Sequence, residues 1–163
     1  MNPAIPRHCL SDADHLAIDR LARRYADVID RRAWGELAEL FTPEAVVTID
    51  LVTSPARLVS GADELREFLE HAMARFRFLA FVIQNLHVEP FTDDPDLASA
   101  RMFMSEHRID LDGSATQTFG CYQDTYQRVG GSWRFARREY QTIARLPDAD
   151  VFGLPAQARP LTS

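Results

Sequence analysis

Cysteine, glycine-rich loops and positive charge are all in short supply in this chain, and each shortage removes a class of function. Cys9 and Cys121 are far apart and lack metal-site spacing. One falls in an expected arm and the other in an expected strand, so no disulfide framework or cysteine-ligated metal is indicated, and a reducing compartment suits the chain. There are 7 glycines in 163 residues, and none builds the phosphate-cradling loop of a Walker motif or a dinucleotide fingerprint. No G-x-S-x-G elbow presents a nucleophilic serine. His8, His15, His71, His87 and His107 show no i,i+4 or HExxH arrangement, so a metal site has no sequence signal. Basic residues total 18 against 24 acidic ones, a formal charge of -6, whereas a nucleic-acid surface needs a concentrated basic field. No apolar run approaches membrane-spanning length, and the N-terminus has no apolar signal core. These absences set the expectation: a cytoplasmic protein without cofactor, metal, nucleic-acid or membrane partner.

What is present is an ordinary globular composition, 46% hydrophobic and 26% charged, with ten Phe, four Tyr and two Trp to line a core or a cavity. Residues 1–10 read as an arm. Ser11 offers an N-cap with Asp12 and Asp14 behind it, and Ile18, Leu21, Tyr25 and Val28 follow helical spacing to about Arg32. A short helix carrying Trp34, Leu37, Leu40 and Phe41 stops at Thr42-Pro43. Strands are expected over 45–51 and 57–60, then a third helix from Gly61 with Leu65, Phe68, Leu69 and Met73 inward. Beyond Arg77 the pattern becomes four long strands, 78–89, 97–110, 115–128 and 132–143, joined by short polar or glycine turns. Three helices followed by such a meander predict an α+β domain over 11–145, its helices packed on one face of a curved antiparallel sheet. Such a sheet coils into a cup suited to a small, largely apolar molecule. Residues 146–163, with Pro147, Pro155 and Pro160, read as a tail or flap.

Several side chains are candidates for work inside that cup. Asp27 has arginines at i−4 and i+4 and belongs to a solvated face, whereas Asp30 has Ala26 and Trp34 there. A carboxylate flanked by apolar groups loses hydration and becomes a stronger base; the alternative is that Asp30 only terminates its helix. Period-2 alternation puts Tyr122, Asp124, Tyr126 and Arg128 on one strand face, either converging on a ligand or forming a cross-strand ladder. Phe81, Ile83, Asn85, His87 and Glu89 share another face, with His87 either reaching the cavity or structural. His107 can shuttle protons near neutral pH, but faces opposite to Met104, Glu106 and Arg108.

The ordered set Ile18-x-x-Leu21-x-x-x-Tyr25-Ala26-x-x-x-Asp30, Trp34-x-x-Leu37-x-x-Leu40-Phe41-x-Pro43-x-Ala45, Gly120-x-Tyr122-x-Asp124-x-Tyr126-x-Arg128 and Gly131-x-Trp133-Arg134-Phe135-x-x-Arg138 resembles SnoaL-like domains of the nuclear transport factor 2-like superfamily. The likeness covers about residues 11–145. It implies a cone-shaped α+β fold, a homodimer and a small-molecule ligand. Family members include polyketide cyclases, dehydratases, a dehydrochlorinase and ketosteroid isomerase. Dehydratase-type members pair a first-helix Tyr and Asp with a strand histidine. Tyr25 and Asp30 match the first two, while Phe81 stands where the histidine belongs.

The resemblance therefore implies a cofactor-independent lyase, isomerase or cyclase. Asp30 would abstract a proton, Tyr25 would hydrogen-bond the developing oxyanion, and His107 or His87 would supply an imidazole. Tyr122 and Arg128 would orient the substrate, and Trp34, Phe81, Asn85 and His87 would complete its binding site. Phe81 motivates the rival expectation of a non-catalytic binding or assembly subunit. A third expectation borrows from epoxide hydrolases of the superfamily, with Arg108-Ile109-Asp110 and Glu139 activating water.

Overall fold

The Ser11 side chain accepts the Asp14 backbone N–H at 3.2 Å, while the Asp14 carboxylate accepts the Ser11 N–H at 3.3 Å. This reciprocal cap starts α1 (Asp12–Arg31) in the computed structural model, which describes residues 9–91 and 94–155. Arg32 ends the helix in the left-handed conformation, φ 54. A 3-10 turn over Trp34–Glu36 leads into α2 (Leu37–Leu40), and β1 (Phe41–Asp50) begins earlier than the β-branched run suggests. Pro43 is absorbed where the β1 register shifts between Phe41 and Val46, a place where no ladder N–H is needed. β2 (Arg57–Ser60) and α3 (Gly61–Met73) follow, then β3 (Phe76–Pro90), β4 (Leu97–Asp110), β5 (Ala115–Val129) and β6 (Ser132–Leu146).

The sheet order is β2-β1-β6-β5-β4-β3. The four long strands form the expected antiparallel meander. The sheet as a whole is mixed, because three hairpin reversals bring β6 back alongside β1 in the same direction and the two pair in parallel. Bulges between Ile83 and Asn85, Phe119 and Gly120, and Thr125 and Tyr126 add coil to strands already twisted. The helices cover the concave face, giving the α+β cone.

Past Leu146 the chain turns through Pro147 and pairs a two-residue strand, β7 (Asp150–Val151), with Ala144 and Arg145. Most of the expected arm (residues 1–8) and the end of the expected tail (156–163) lie outside the described residues. No helix among the described residues is long and apolar enough to cross a membrane.

The inner face changes character along its strands. At one end Ile18, Ala22, Ala98, Met102, Tyr126 and Phe135 are completely buried. Asp14 closes that end, pairing with Arg128 at 2.8 Å and accepting the Trp133 indole N–H at 3.0 Å. At the other end a cavity opens between β4, β5 and β6 and the helices α1 and α3.

Candidate active site

The cavity has a volume of about 890 Å³, at the upper part of the range that small-molecule sites occupy. One wall is apolar: Ile29 of α1, Val47 and Ile49 of β1, and Leu65, Phe68 and Leu69 of α3. The polar part of the lining comes from three neighbouring strands: Glu106, Arg108 and Asp110 of β4, Thr116, Thr118 and Tyr122 of β5, and Tyr140 and Thr142 of β6, with Ile49 beside Tyr140 in the sheet. The register explains the convergence, since Glu106 pairs across with Thr118 and Tyr122 with Tyr140. Side chains of directly opposed residues share one face.

Glu106 is the central group. Its side chain is buried, and Oε2 receives both Arg108 contacts, Nε at 2.7 Å and a shorter one from Nη2. The ion pair thus uses one carboxylate oxygen. The negative charge of Glu106 acts on the phenols of Tyr25, Tyr122 and Tyr140, which all line the cavity. Burial pushes the Tyr140 phenol up to about 12, with Glu106 adding to the rise. Tyr25 and Tyr122 are raised too, chiefly by burial. All three therefore stay protonated at neutral pH, and the Tyr25 oxygen accepts a hydrogen bond from Tyr122. Thr142 Oγ1 donates to the Tyr140 oxygen at 3.2 Å, so the Tyr140 proton is directed elsewhere. Gly120 makes room for this ring: a Cβ there would lie 2.3 Å from Tyr140 Cε2.

Beneath the tyrosines lies a second charged pair. Arg138 is fully buried, bonded to Asp124 through Nε at 2.8 Å and Nη2 at 3.0 Å, and Tyr126 donates to the same carboxylate at 3.2 Å. Its guanidinium lies 4.1, 4.0 and 4.3 Å from the ring centres of Tyr25, Tyr122 and Phe135. Burial pushes the Asp124 carboxyl up and Arg138 opposes the rise. This pair holds the backs of two cavity tyrosines, and neither member lines the cavity itself.

The candidates read from the sequence are dispersed. Tyr25 and Tyr122 line the cavity. Phe81 points inward but packs into the core, 5.9 Å from Tyr25 and 6.2 Å from Tyr122 between ring centres. Asp30 is exposed and turned to the sheet edge, where Oδ1 accepts the Phe81 N–H at 2.6 Å. Trp34 does not flank it one turn further on, because the helix has already ended at Arg31. The remaining desolvation still raises the Asp30 carboxyl somewhat, against the Phe81 hydrogen bond. Arg32 caps the Phe76 carbonyl of the same edge, so the end of α1 satisfies backbone groups that an edge strand leaves unpaired. Trp34 is half-buried against the core, outside the cavity lining.

Alternation in β3 does not run through. The bulge after Ile83 turns Leu86 and Val88 inward and sends Asn85, His87 and Glu89 to the outer face, where His87 Nε2 meets Glu89 at 2.9 Å. His107 is likewise exposed on the outer face, 3.4 Å from Ser105 Oγ and from Gln117 Nε2. Arg128 belongs to the closed end, bound to Asp14 and to Asp96 at 3.1 Å. Of the proposed water-activating set, Arg108 and Asp110 line the cavity, while Glu139 lies on the outer face with Arg137. Among the described residues no group of three or more His, Cys, Asp or Glu side chains is placed to hold a metal ion.

Glu106, Tyr140, Thr118 and Thr142 were not among the sequence candidates. A signal for the first was available: Glu106, Arg108 and Asp110 put three charges on the face of β4 that also carries Met102 and Met104. Charges in phase with buried apolar residues mark a cavity or an ion-pair network.

Comparison with known proteins agrees with the architecture. The SnoaL-like domain model matches residues 12–139. An uncharacterised protein of Mycobacterium tuberculosis is 27% identical over 133 residues, covering 77% of this chain and 83% of its own. A candidate scytalone dehydratase from Novosphingobium aromaticivorans superposes with a TM-score of 0.74 at 24% identity, over 90% of this chain and 95% of that one. A hexachlorocyclohexane dehydrochlorinase from Novosphingobium barchaimii does so with a TM-score of 0.73 at 18% identity, over 88% and 95%. At these identities the two structures speak for the shared fold, while the family model covers most of the chain. The protein belongs to the SnoaL-like domain family.

Proposed function

We propose that the protein is a cofactor-independent enzyme that moves a proton on a small, largely apolar cyclic molecule, as a lyase, isomerase or cyclase does. The observation that carries this reading is the buried Glu106 carboxylate, which lines one partly apolar cavity together with three protonated tyrosines. Arg108 fixes the carboxylate through Oε2, leaving Oε1 outside that ion pair for a substrate C–H. As the proton leaves carbon, charge builds on a conjugated oxygen or departs with a leaving group. Tyr140, its ring 4.9 Å from that of Tyr122, would donate to that oxygen. Preorganised donors of this kind contribute about 3–4 kcal/mol each when they are well aimed. The proton on Glu106 then returns to another carbon, or goes to solvent after elimination. Elimination of this sort is what the names of the dehydrochlorinase and dehydratase neighbours describe. The base in this scheme comes from β4, so a phenylalanine at position 81 does not disable it.

Deuterium exchange at the α-carbon of 2-tetralone in D2O, followed by NMR, tests the scheme without knowledge of the natural substrate. The wild type should accelerate exchange. Glu106→Gln should reduce the accelerated rate by about 10²–10⁴-fold, while Asp30→Asn should leave it within a few-fold. Unchanged exchange in Glu106→Gln would sink the assignment, and saturable binding without exchange would favour the non-catalytic subunit. A second reading, water activation on an epoxide, is favoured by one observation: Glu106, Arg108 and Asp110 all line the cavity. Transfer of ¹⁸O from labelled water into styrene oxide would single it out.

A further inference from the structure

The rim of the cavity carries Arg75, Arg108 and Arg145, and the three are not equivalent. Arg75 is paired with Asp110 at 2.8 Å and Arg108 with Glu106. Arg145 has only neutral partners among the described residues: Nη1 donates to Thr53 Oγ1 at 3.0 Å and Nη2 to the Leu51 carbonyl at 2.8 Å. Its guanidinium also lies 5.6 Å from the Phe152 ring centre. Asp150, its cross-strand neighbour in β7, and Asp148 in the turn between them are both exposed, and neither forms an ion pair with it among the described residues. The side chain is therefore held in place without being neutralised.

Its position is not an accident of a flexible surface chain. Strict alternation from Tyr140 and Thr142 would put Arg145 on the outer face. The bulge between Phe119 and Gly120 shifts the register by one, so Arg145 stands opposite Thr118, another cavity residue. Its charge is felt inside, where it acts on the Tyr140 phenol. All 18 basic residues of the chain are arginines, and a guanidinium fork suits a planar carboxylate better than an ammonium does.

We propose that Arg145 is an anion anchor and that the ligand of this cavity is an amphipathic carboxylate. Its apolar body lies against Ile29, Ile49, Leu65 and Phe68, and its carboxylate meets Arg145 at the rim. The proposal rests on the reading of this cavity as the ligand site, and it concerns recognition, whichever bond is broken. Two of the five guanidinium N–H groups already hold the side chain, so less rotamer freedom is lost when the anion arrives.

Fluorescence titration of the full chain with 1-pyrenebutyrate and 1-pyrenebutanol, which share one apolar body, tests the anchor. The wild type should bind the acid about tenfold more tightly than the alcohol, the size of one charge-assisted contact. The preference should shrink as salt rises. Arg145→Gln should abolish the preference while leaving the alcohol affinity within about twofold, and Asp148→Asn should widen it by removing a competing charge. Equal binding of the two probes by the wild type, or a preference that survives Arg145→Gln, overturns the anchor and leaves the cavity and its acid–base chemistry standing. Failure of both probes to bind overturns the anchor and the apolar ligand site together.

Discussion

Two acid–arginine pairs sit on the inner face of the same sheet, and they are built for different purposes. Asp124 and Arg138 are both 0% exposed in their side chains, bidentate, and packed under aromatic rings. Glu106 and Arg108 are 7% and 20% exposed, joined through a single carboxylate oxygen, and open to a large cavity. The first pair lies outside the large cavity, and its guanidinium packs against the rings of Tyr25 and Tyr122. The second leaves one carboxylate oxygen outside the ion pair and keeps it within reach of a guest. Proximity to a charged partner is thus a poor guide to function by itself. Access to space, and the number of lone pairs left over, separate the structural pair from the chemical one.

The largest effect is expected from removing a partner of the closed pair. Arg138→Met should leave Asp124 buried without its counter-charge and cost about 3–5 kcal/mol, read as a lowered urea midpoint at unchanged slope. Adding Asp124→Asn to that variant should recover part of the loss. A neutral Arg138→Met would mean that the pair contributes nothing beyond what packing supplies.

A smaller effect is expected where the two regions meet. Gly120→Ala puts a methyl group into the Tyr140 ring, and forced repacking of this kind costs about 1–3 kcal/mol. Because Tyr140 is displaced from the cavity wall, the variant should also lose the accelerated exchange of 2-tetralone. Normal exchange in a destabilised Gly120→Ala would remove Tyr140 from the proposed machinery.

The smallest effect belongs to the clasp at the closed end. Arg128, Trp133 and Ser11 hold the Asp14 carboxyl well below the usual carboxylate range. A depressed carboxyl stabilises the fold above its unfolded value, about 3.9, and that contribution is lost as pH falls toward the folded value. Asp14→Asn should cost about 1 kcal/mol at pH 7 and progressively less below pH 4, by thermal denaturation at several pH values. An equal cost at pH 7 and pH 2.5 would separate Asp14 from any electrostatic role.

Much of this architecture is legible in the residues. The cap at Ser11, the stripe through Ile18 and Tyr25, and the turns at Asp112-Gly113 and Gly130-Gly131 depend on local chemistry, and they place α1 and the long strands close to where they lie. The site is harder to read, because its composition depends on bulges. One extra residue near Gln84 sends His87 outward, and another near Ile143 brings Arg145 inward. A shift of one residue reverses every side chain beyond it, and no composition signal marks it. Asp30 illustrates a different limit: its i+4 neighbour has meaning only while the helix continues, and the helix stops at Arg31. Glu106 needs no bulge to be found, only the weight given to three charges in phase with Met102 and Met104.

In this arrangement guests enter at the Glu106 end of the sheet and do not reach the Asp124 end. Titration of 2-tetralone into ¹⁵N-labelled protein, with amide shifts followed residue by residue, tests it directly. Shifts should concentrate at Glu106, Thr118, Tyr140 and Thr142, with Trp133, Tyr126 and Asp14 unmoved. Shifts centred on Trp133 and Arg128, or on Asn85 to Glu89 of the outer face, would contradict it.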